Sequence, residues 1–446
     1  MKFKNITKLF IGIPLVALTS PLISFKIEKK DESNKIEEKN LKFLIESERK
    51  NINKITGKDN NLIFSKIISD LENRKILLLV FDDCNSFVDF ETMQTLEINF
   101  EKYNLDILRK NEIFYISLGQ LYFKQKLNDF IFINVLSNKK IRKEDITFSK
   151  AINILDSEIK NLKHKNFNVR SKIIKQNFKS NISYRSKGND KEFIWPSAKW
   201  KDSRYLDVST QVPYSWWFAT RNWTDASGYD QLNNDGLCEY VALSQLLLYT
   251  ELFIRPNIFD YDQYNNYILE SNSNDLYKSS PLFRYHYYNT DSNKKSLAYD
   301  LFKLGGEYLN LKTGNYYEII VNKFIKYKNV LNDLEFPHKF GGYYRAWQSV
   351  KNGTPAILGV ATLSGFNHAM IVYGYDDDSN MFLASNCFGI PEENRILYSY
   401  YTKVWGSYYF SIKLKQDKKF NNFRKAFVYN GNKYTGKEID NLLLNN

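Results

Sequence analysis

The chain has few of the residues that staple, stiffen or loosen a polypeptide. Its three cysteines cannot build a disulfide framework, and their odd number leaves at least one thiol free. Nine prolines and 19 glycines exclude a collagen-like or linker-dominated chain. The four histidines and three cysteines lack the spacing of zinc ligands, and the sequence has no glycine-rich phosphate loop. We therefore expect no metal and no cofactor.

Apolar and aromatic residues, in contrast, are abundant. They include 7 Trp, 32 Tyr and 32 Phe, and 43% of the 446 residues are hydrophobic. This composition excludes bulk disorder, and the length predicts two or three folded units. The net charge is +13, but the lysines are spread along the whole chain and form no stripe that could follow phosphates. We expect a solvated basic surface and no nucleic-acid partner.

The amino terminus has the pattern of a secretory signal. Basic residues precede a mostly apolar run from Leu9 to Ile23, which two prolines interrupt, and further lysines follow. We assign residues 1–28 to a signal peptide or an uncleaved signal anchor. No cysteine precedes Cys84, which excludes a lipid anchor on an early cysteine. The protein is predicted to be secreted or held on the extracellular face of the cell membrane, with membrane contact only through this segment.

Residues 29–165 are predicted to form a small α/β or α+β domain. The apolar run 76–81 predicts a buried strand, and residues 113–118 and 130–135 predict two more. Cys84 follows the first strand beside acidic residues, which disfavour a thiolate, so we interpret it as a core thiol. Four apolar residues at helical spacing predict a helix before the first strand: Ile63, Ile67, Ile68 and Leu71.

A polar and basic segment, residues 166–194, is predicted to be an interdomain linker, because it carries turn formers and no periodic apolar face. Exposed segments of this kind are preferred sites of proteolytic cleavage. The remaining candidate chemistry lies in residues 195–414, and residues 415–446 read as a basic C-terminal tail.

The segment around Cys238 predicts a nucleophile. Cap-forming Asn and Asp residues and Gly236 precede it, and the residues that follow contain no early helix breaker and are mostly apolar. We expect a central buried helix whose first turn opens toward solvent. Backbone N–H groups and the helix dipole favour a thiolate at such a position. The alternative is that Cys238 is a buried small hydrophobic residue.

A nucleophilic cysteine needs a base, and residues 195–414 contain His286, His338 and His368. The first lies in an aromatic run and the second in a loop, so both are expected to be structural or exposed. His368 begins a predicted strand that turns at residues 376–380 and returns to end at Asn386. If Tyr375 pairs with about Asn380, the hairpin places His368 beside Asn386, whose amide oxygen can orient the imidazole.

The order Cys238, His368, Asn386 resembles that of papain-like cysteine peptidases. The histidine follows the cysteine by about 130 residues, which is similar to that family. Asn386 to Gly389 is similar to the family's Asn-Ser-Trp-Gly motif. Residues 236–238, 351–357 and 367–370 resemble bacterial members, among them streptopain-like enzymes and the papain-like peptidases of mycoplasmas. The resemblance covers residues 195–414 and implies an α+β fold in which a central helix bearing the cysteine packs on an antiparallel sheet or barrel bearing the histidine and asparagine.

The resemblance also implies further site residues. Phe388 would shield the bond between asparagine and histidine. The family's oxyanion glutamine lies six residues before the nucleophile, where this chain has Leu232. A one-residue insertion would assign that role to Gln231, with Asn233 or Asn234 as alternatives.

The implied activity is hydrolysis of peptide bonds in extracellular proteins, host proteins included, by a thiol endopeptidase whose partner is its protein or peptide substrate. A catalytically degenerate surface binding or adhesion protein on the same scaffold is the alternative, and an amidase or acyltransferase is a third reading. Residues 29–165 would then be either a propeptide, which we favour, or a permanent domain. Cys387 is interpreted as a neutral filler beside Asn386.

Overall fold

The computed structural model describes most of the chain between residues 32 and 445. The described residues are 32–70, 73–90, 92–117, 120–125, 128–136, 138, 140–142, 206–220, 237–284, 296–307, 315–340, 342–362, 367–387, 395–399, 404–415 and 418–445. The predicted signal (1–28) and the predicted linker (166–194) lie outside them.

The chain divides into two compact units, residues 1–45 and residues 46–446. The described part of the first unit is the beginning of helix α1 (Glu32–Thr56). The elements that follow α1 all lie in the second unit.

The described residues that precede position 143 form mainly strands. After α1 come β1 (Leu62–Asp70), β2 (Lys75–Phe81), β3 (Asn85–Asp89), β4 (Thr95–Asn99), α2 (Leu105–Lys110), β5 (Ile113–Ser117), β6 (Gln120–Gln125), β7 (Asn128–Asn134) and β8 (Lys140–Arg142). The predicted strands at 76–81, 113–118 and 130–135 are confirmed as β2, β5 and β7. Cys84 exposes 2% of its surface, which confirms it as a core thiol.

The predicted helix before β2 is wrong, because those residues form strand β1. Ile68 is buried, whereas Ile63 and Ile67 are exposed. A strand places alternate residues on opposite faces, so the β-branched residues here are shared between the core and the solvent side. β1 pairs with β2 on one edge and with β5 on the other, and these tertiary pairings outweigh the helical spacing.

The described residues from position 206 onward carry the longer helices and the second group of strands. In order they are β9 (Thr210–Gln211), a 3-10 helix (Ser215–Ala219), α3 (Cys238–Tyr249), a π-helix (Thr250–Ile254), α4 (Tyr261–Tyr267), β10 (Ile268–Leu269), β11 (Asn272–Ser273), β12 (Leu282–Phe283), α5 (Leu297–Leu304), α6 (Asn315–Phe324), α7 (Lys328–Asp333), β13 (Leu334–Glu335), β14 (His338–Phe340), α8 (Gly342–Lys351), β15 (Ala356–Thr362), β16 (Asn367–Asp376), β17 (Met381–Ser385), β18 (Arg395–Ser399), β19 (Val404–Ser411), β20 (Lys413–Leu414), β21 (Phe427–Tyr429), β22 (Asn432–Tyr434) and α9 (Gly436–Asn445). No helix within the described residues is both long and apolar enough to cross a membrane.

Residues 418–445 are structured, where the sequence suggests that 415–446 is a basic C-terminal tail. β21 and β22 pair as a hairpin, and α9 follows. Phe427 and Ile439 are fully buried, and the Trp216 indole donates to Asp440 at 2.8 Å. Apolar residues spaced for one helix face, interspersed with the charges, explain the difference.

Strands from both parts of the chain form one mixed sheet, and the α+β class is confirmed. Its order is β14-β19-β15-β16-β17-β18-β4-β3-β2-β1-β5-β6-β7-β8, with β9 on β16. β1 and β5 run parallel, whereas the hairpin-linked neighbours run antiparallel.

The two parts of the sheet join where β18 pairs with β4. Leu397 lies opposite Ile98, and both are buried. The Arg395 guanidinium lies over the Phe100 ring, 4.5 Å from its centroid. Nearby, the backbone N–H of Asp207 donates to the carbonyl of Ile55 at 2.7 Å. The sequence predicts separate domains at 29–165 and 195–414, whereas in the structure their described strands belong to one sheet.

Candidate active site

Helix α3 carries Cys238 as its first residue. Its twelve residues are all buried and include no Gly or Pro, which explains a helix through the centre of the molecule. The predicted helix start is thereby confirmed. The predicted opening of the first turn toward solvent is wrong, because Cys238 exposes 6% and Glu239 5% of their surfaces. The helix packs against β15 and β16.

The sulfur of Cys238 lies beside β16. Backbone N–H groups of Ala369, Glu239 and Cys238 itself hydrogen-bond to the sulfur and favour a thiolate. Burial opposes them and, with the neighbouring Glu239 carboxylate, raises the pKa of the Cys238 thiol to about 12. The expectation that the helix terminus makes a resting thiolate is therefore wrong: loss of hydration outweighs the N–H groups, and the thiol is neutral at rest.

His368 lies on β16, opposite Val360 of β15, and exposes 3% of its surface. It directly precedes Ala369, the residue whose N–H group faces the sulfur of Cys238. Burial lowers the pKa of His368 to about 3, and its hydrogen bond to Asn386 offsets this only in part. The imidazole is therefore neutral at rest, like the thiol.

The structure brings His368 and Asn386 together, but through a different atom from the one expected. Nε2 of His368 donates to the backbone carbonyl oxygen of Asn386, whereas the sequence argument assigned this contact to the side-chain amide. The hairpin register also differs. Tyr375 pairs with Phe382, and Asn380 lies in the turn with a φ of 55°. An irregularity between Val372 and Gly374 shifts the pairing of β16 with β17 by one residue, so the observed pairing near His368 stays close to the expected one.

Cys387 follows Asn386 at the end of β17 and is fully buried. Its φ is 57°, which is the left-handed region that residues other than Gly and Asn rarely adopt. Two acceptors lie within reach of its single S–H, Oε1 of Gln245 at 3.6 Å and the carbonyl of Ser385 at 3.7 Å. Burial raises the pKa of this thiol. Cys387 and Cys238 are both free thiols.

Sequence reasoning missed a group that surrounds Glu239. The Tyr408 hydroxyl donates to Glu239, and it lies 3.1 Å from the Tyr317 hydroxyl. Tyr408 lies opposite Gly359 on the neighbouring strand, and a Cβ atom on Gly359 would lie 2.0 Å from the Tyr408 ring. Glycine inside a strand is a known sign of such close approach, and it was the available signal.

The other predicted site residues divide into two sets. Gln231, Phe388, Asn233, Asn234 and His286 lie outside the described residues. His338 lies on β14, where Nδ1 contacts the carbonyl of Phe336 at 2.9 Å and the Glu318 carboxylate at 3.5 Å. This is a partly exposed structural position.

The part of the chain that the structure describes contains no candidate metal site, because no three His, Cys, Asp or Glu side chains lie close enough together there to bind an ion. What the arrangement can do is acyl transfer. The Cys238 sulfur contacts the backbone N–H of Ala369, the residue after His368, and one ring nitrogen of His368 is held by the Asn386 carbonyl, while backbone N–H groups of the helix start also contact the sulfur.

No protein-family model matches the chain. Comparison with curated proteins gives no match either.

Proposed function

We propose that this protein is a secreted or surface-associated cysteine endopeptidase that resembles the papain-like family. One observation carries the proposal: Cys238 begins the central helix, and its sulfur meets the β16 backbone beside His368, which Asn386 holds. A nucleophile, a base and a group that orients the base are the three parts of a thiol hydrolase. Residues 1–28 would direct it outside the cell, where extracellular proteins would be its substrates.

The proposed reaction starts from a neutral pair. The substrate carbonyl approaches Cys238, and the thiol proton passes to His368 as the sulfur–carbon bond forms. The backbone N–H groups of Cys238 and Glu239, which contact the sulfur at rest, are proposed to stabilise the oxyanion, with Gln231 as the proposed side-chain donor. The imidazolium then protonates the leaving amine. Water, deprotonated by His368, hydrolyses the thioester and restores the thiol. Phe388 is proposed to shield the contact between His368 and Asn386.

The neutral resting pair has a kinetic consequence. Because burial disfavours both charged forms, a thiolate–imidazolium pair would form only when substrate binding supplies compensating contacts. Attack and proton transfer would therefore be coupled. We expect slow alkylation of the resting thiol by small electrophiles, and faster acylation by a substrate that occupies the site.

One observation favours the second candidate, a binding protein without turnover. Cys238 exposes only 6% of its surface, and the pKa of its thiol is about 12. A thiol of this kind is ordinarily inert. The degenerate scaffold therefore remains the alternative to the endopeptidase.

The role of residues 29–165 is also a proposal. The sequence favours a removable propeptide. The pairing of β4 with β18 supports the other reading, a permanent domain, because removal would expose an edge strand that is apolar and buried.

The test is hydrolysis of a fluorogenic peptide mixture by the full chain under reducing conditions. The variants are Cys238→Ala and His368→Ala, and Cys84→Ala is the matched control, because Cys84 is an equally buried thiol in the other part of the sheet. Turnover that only the first two variants abolish would establish the thiol hydrolase. A folded protein without turnover on any peptide would overturn the endopeptidase in favour of the binding protein, or of hydrolysis of a non-peptide amide.

A further inference from the structure

His368 donates its hydrogen bond to a main-chain carbonyl, that of Asn386. An amide side chain presents either an acceptor or a donor, depending on its flip, whereas a carbonyl oxygen only accepts. Nε2 of neutral His368 must therefore carry the hydrogen that it donates to the Asn386 carbonyl. The lone pair is then on Nδ1. The contact fixes one tautomer, the one in which Nδ1 is the base.

The turn that aims this carbonyl is held by helix α3. Cys387, the next residue, is in the left-handed region, and this directs the peptide between Asn386 and Cys387 toward His368. Oε1 of Gln245 accepts from the Cys387 thiol at 3.6 Å, and its Nε2 donates to the Ser385 hydroxyl at 3.4 Å. One side chain thus contacts the residues on both sides of Asn386.

Gln245 is unusual in its surroundings. It is fully buried on a helix whose neighbouring residues are mostly apolar, and a buried amide is unfavourable unless it is hydrogen-bonded. It lies about two helical turns after Cys238, which places both side chains on the same face of α3. The helix that carries the thiol therefore also contacts the turn that orients the imidazole.

We propose that Gln245 is a positioning residue, which holds the Ser385–Cys387 turn so that the backbone carbonyl of Asn386, and not its side chain, orients His368. This rests on the proposed function as far as turnover is concerned, whereas the tautomer of His368 is defined without it. The carboxamide of Asn386 is then dispensable for orientation, and Gln245 is not.

The test compares Asn386→Ala and Gln245→Met in the full chain. Methionine keeps the unbranched shape and removes both hydrogen-bonding groups. The matched control is Ser244→Ala, because Ser244 is equally buried on α3 but bonds the Tyr240 carbonyl of its own helix at 2.7 Å. Nitrogen-15 spectra of histidine-labelled protein report which ring nitrogen of His368 is protonated, and a His368→Gln sample assigns its signals.

We expect Asn386→Ala and Ser244→Ala to keep the Nε2–H tautomer, and Ser244→Ala to leave kcat within about threefold. Gln245→Met should give a mixture of tautomers and lower kcat roughly 10²-fold, with little change in KM, as expected when a base is misplaced. If Gln245→Met does not fold, Cys387→Ala removes the other end of the same contact and carries the same expectation.

Two results would overturn the inference. One is loss of the Nε2–H tautomer in folded Asn386→Ala, which would return the role to the carboxamide. The other is an unchanged tautomer in folded Gln245→Met. If the wild-type chain turns over no peptide, the proposed function fails by itself, and the spectra still decide the inference.

Discussion

Neutral, buried His368 makes the protein sensitive to mild acid, and the size of the effect follows from its pKa. That pKa is about 3 in the folded protein, against an ordinary value of 6.5. The unfolded chain therefore binds the proton more readily. Stability that His368 provides is fully present above pH 6.5 and is lost as the pH falls from 6.5 toward 3.

The loss of folding stability at pH 5 does not depend on the details of the folded state. At that pH the imidazole is protonated in the unfolded chain and still neutral in the folded one. The interval of about 1.5 pH units below 6.5, at about 1.4 kcal/mol per unit, gives a loss of roughly 2 kcal/mol. His368 exposes 3% of its surface, so solvent screening does not reduce this value.

The measurement is the free energy of unfolding in urea at pH 7.5 and at pH 5, for the wild type and for His368→Gln. Glutamine can still donate to the Asn386 carbonyl but does not titrate. Buried carboxyl groups with raised pKa values, Glu48, Glu251 and Asp440, gain stability over the same interval. They gain it equally in the wild type and in the variant, so their contribution cancels in the difference between the two proteins. We expect the wild type to lose about 2 kcal/mol more than the variant. Equal losses would refute the reasoning.

Three further predictions use other parts of the structure. Gly359→Ala should destabilise the fold by about 1–3 kcal/mol in urea unfolding, because its Cβ would lie 2.0 Å from the Tyr408 ring. Adding Tyr408→Leu should recover part of this loss, and additive effects of the two substitutions would contradict the contact. Glu239→Gln removes a negative charge beside Cys238 and should speed alkylation by iodoacetamide at pH 8, and an unchanged rate would exclude that influence. A chain that begins at Trp195 should aggregate in size-exclusion chromatography, because it exposes the buried strand β18, and a stable monomer would contradict this.

The parts of the site that the sequence predicted are those governed by local pattern. A run without helix breakers after cap-forming residues marked the helix at Cys238. A strand, an acidic turn and a returning strand brought His368 near Asn386, although the turn lies one residue later than expected. Local pattern does not determine which atom of Asn386 meets the imidazole, since that depends on one backbone dihedral angle at Cys387.

The parts that were missed depend on partners distant along the chain. The acidic group beside the thiol is held by Tyr408, which reaches it from a strand far along the sequence. The sequence predicts a helix at β1 because its apolar spacing fits both periods, and the pairing of β1 with β2 and β5 decides for a strand. The continuity of the sheet from β18 to β4 has no local signal, because neither strand differs from an ordinary buried strand.

That continuity determines what a single backbone cut would produce. The chain from position 143 to position 205 connects two segments whose strands hydrogen-bond to each other directly at β4 and β18. Cleavage within 166–194 would give a two-chain protein whose pieces separate on a denaturing gel and elute together under native conditions. Their dissociation would depend on dilution, as for any heterodimer. The two segments, co-expressed as separate chains, are expected to assemble by fragment complementation, with the backbone of β4 completing the sheet for its partner.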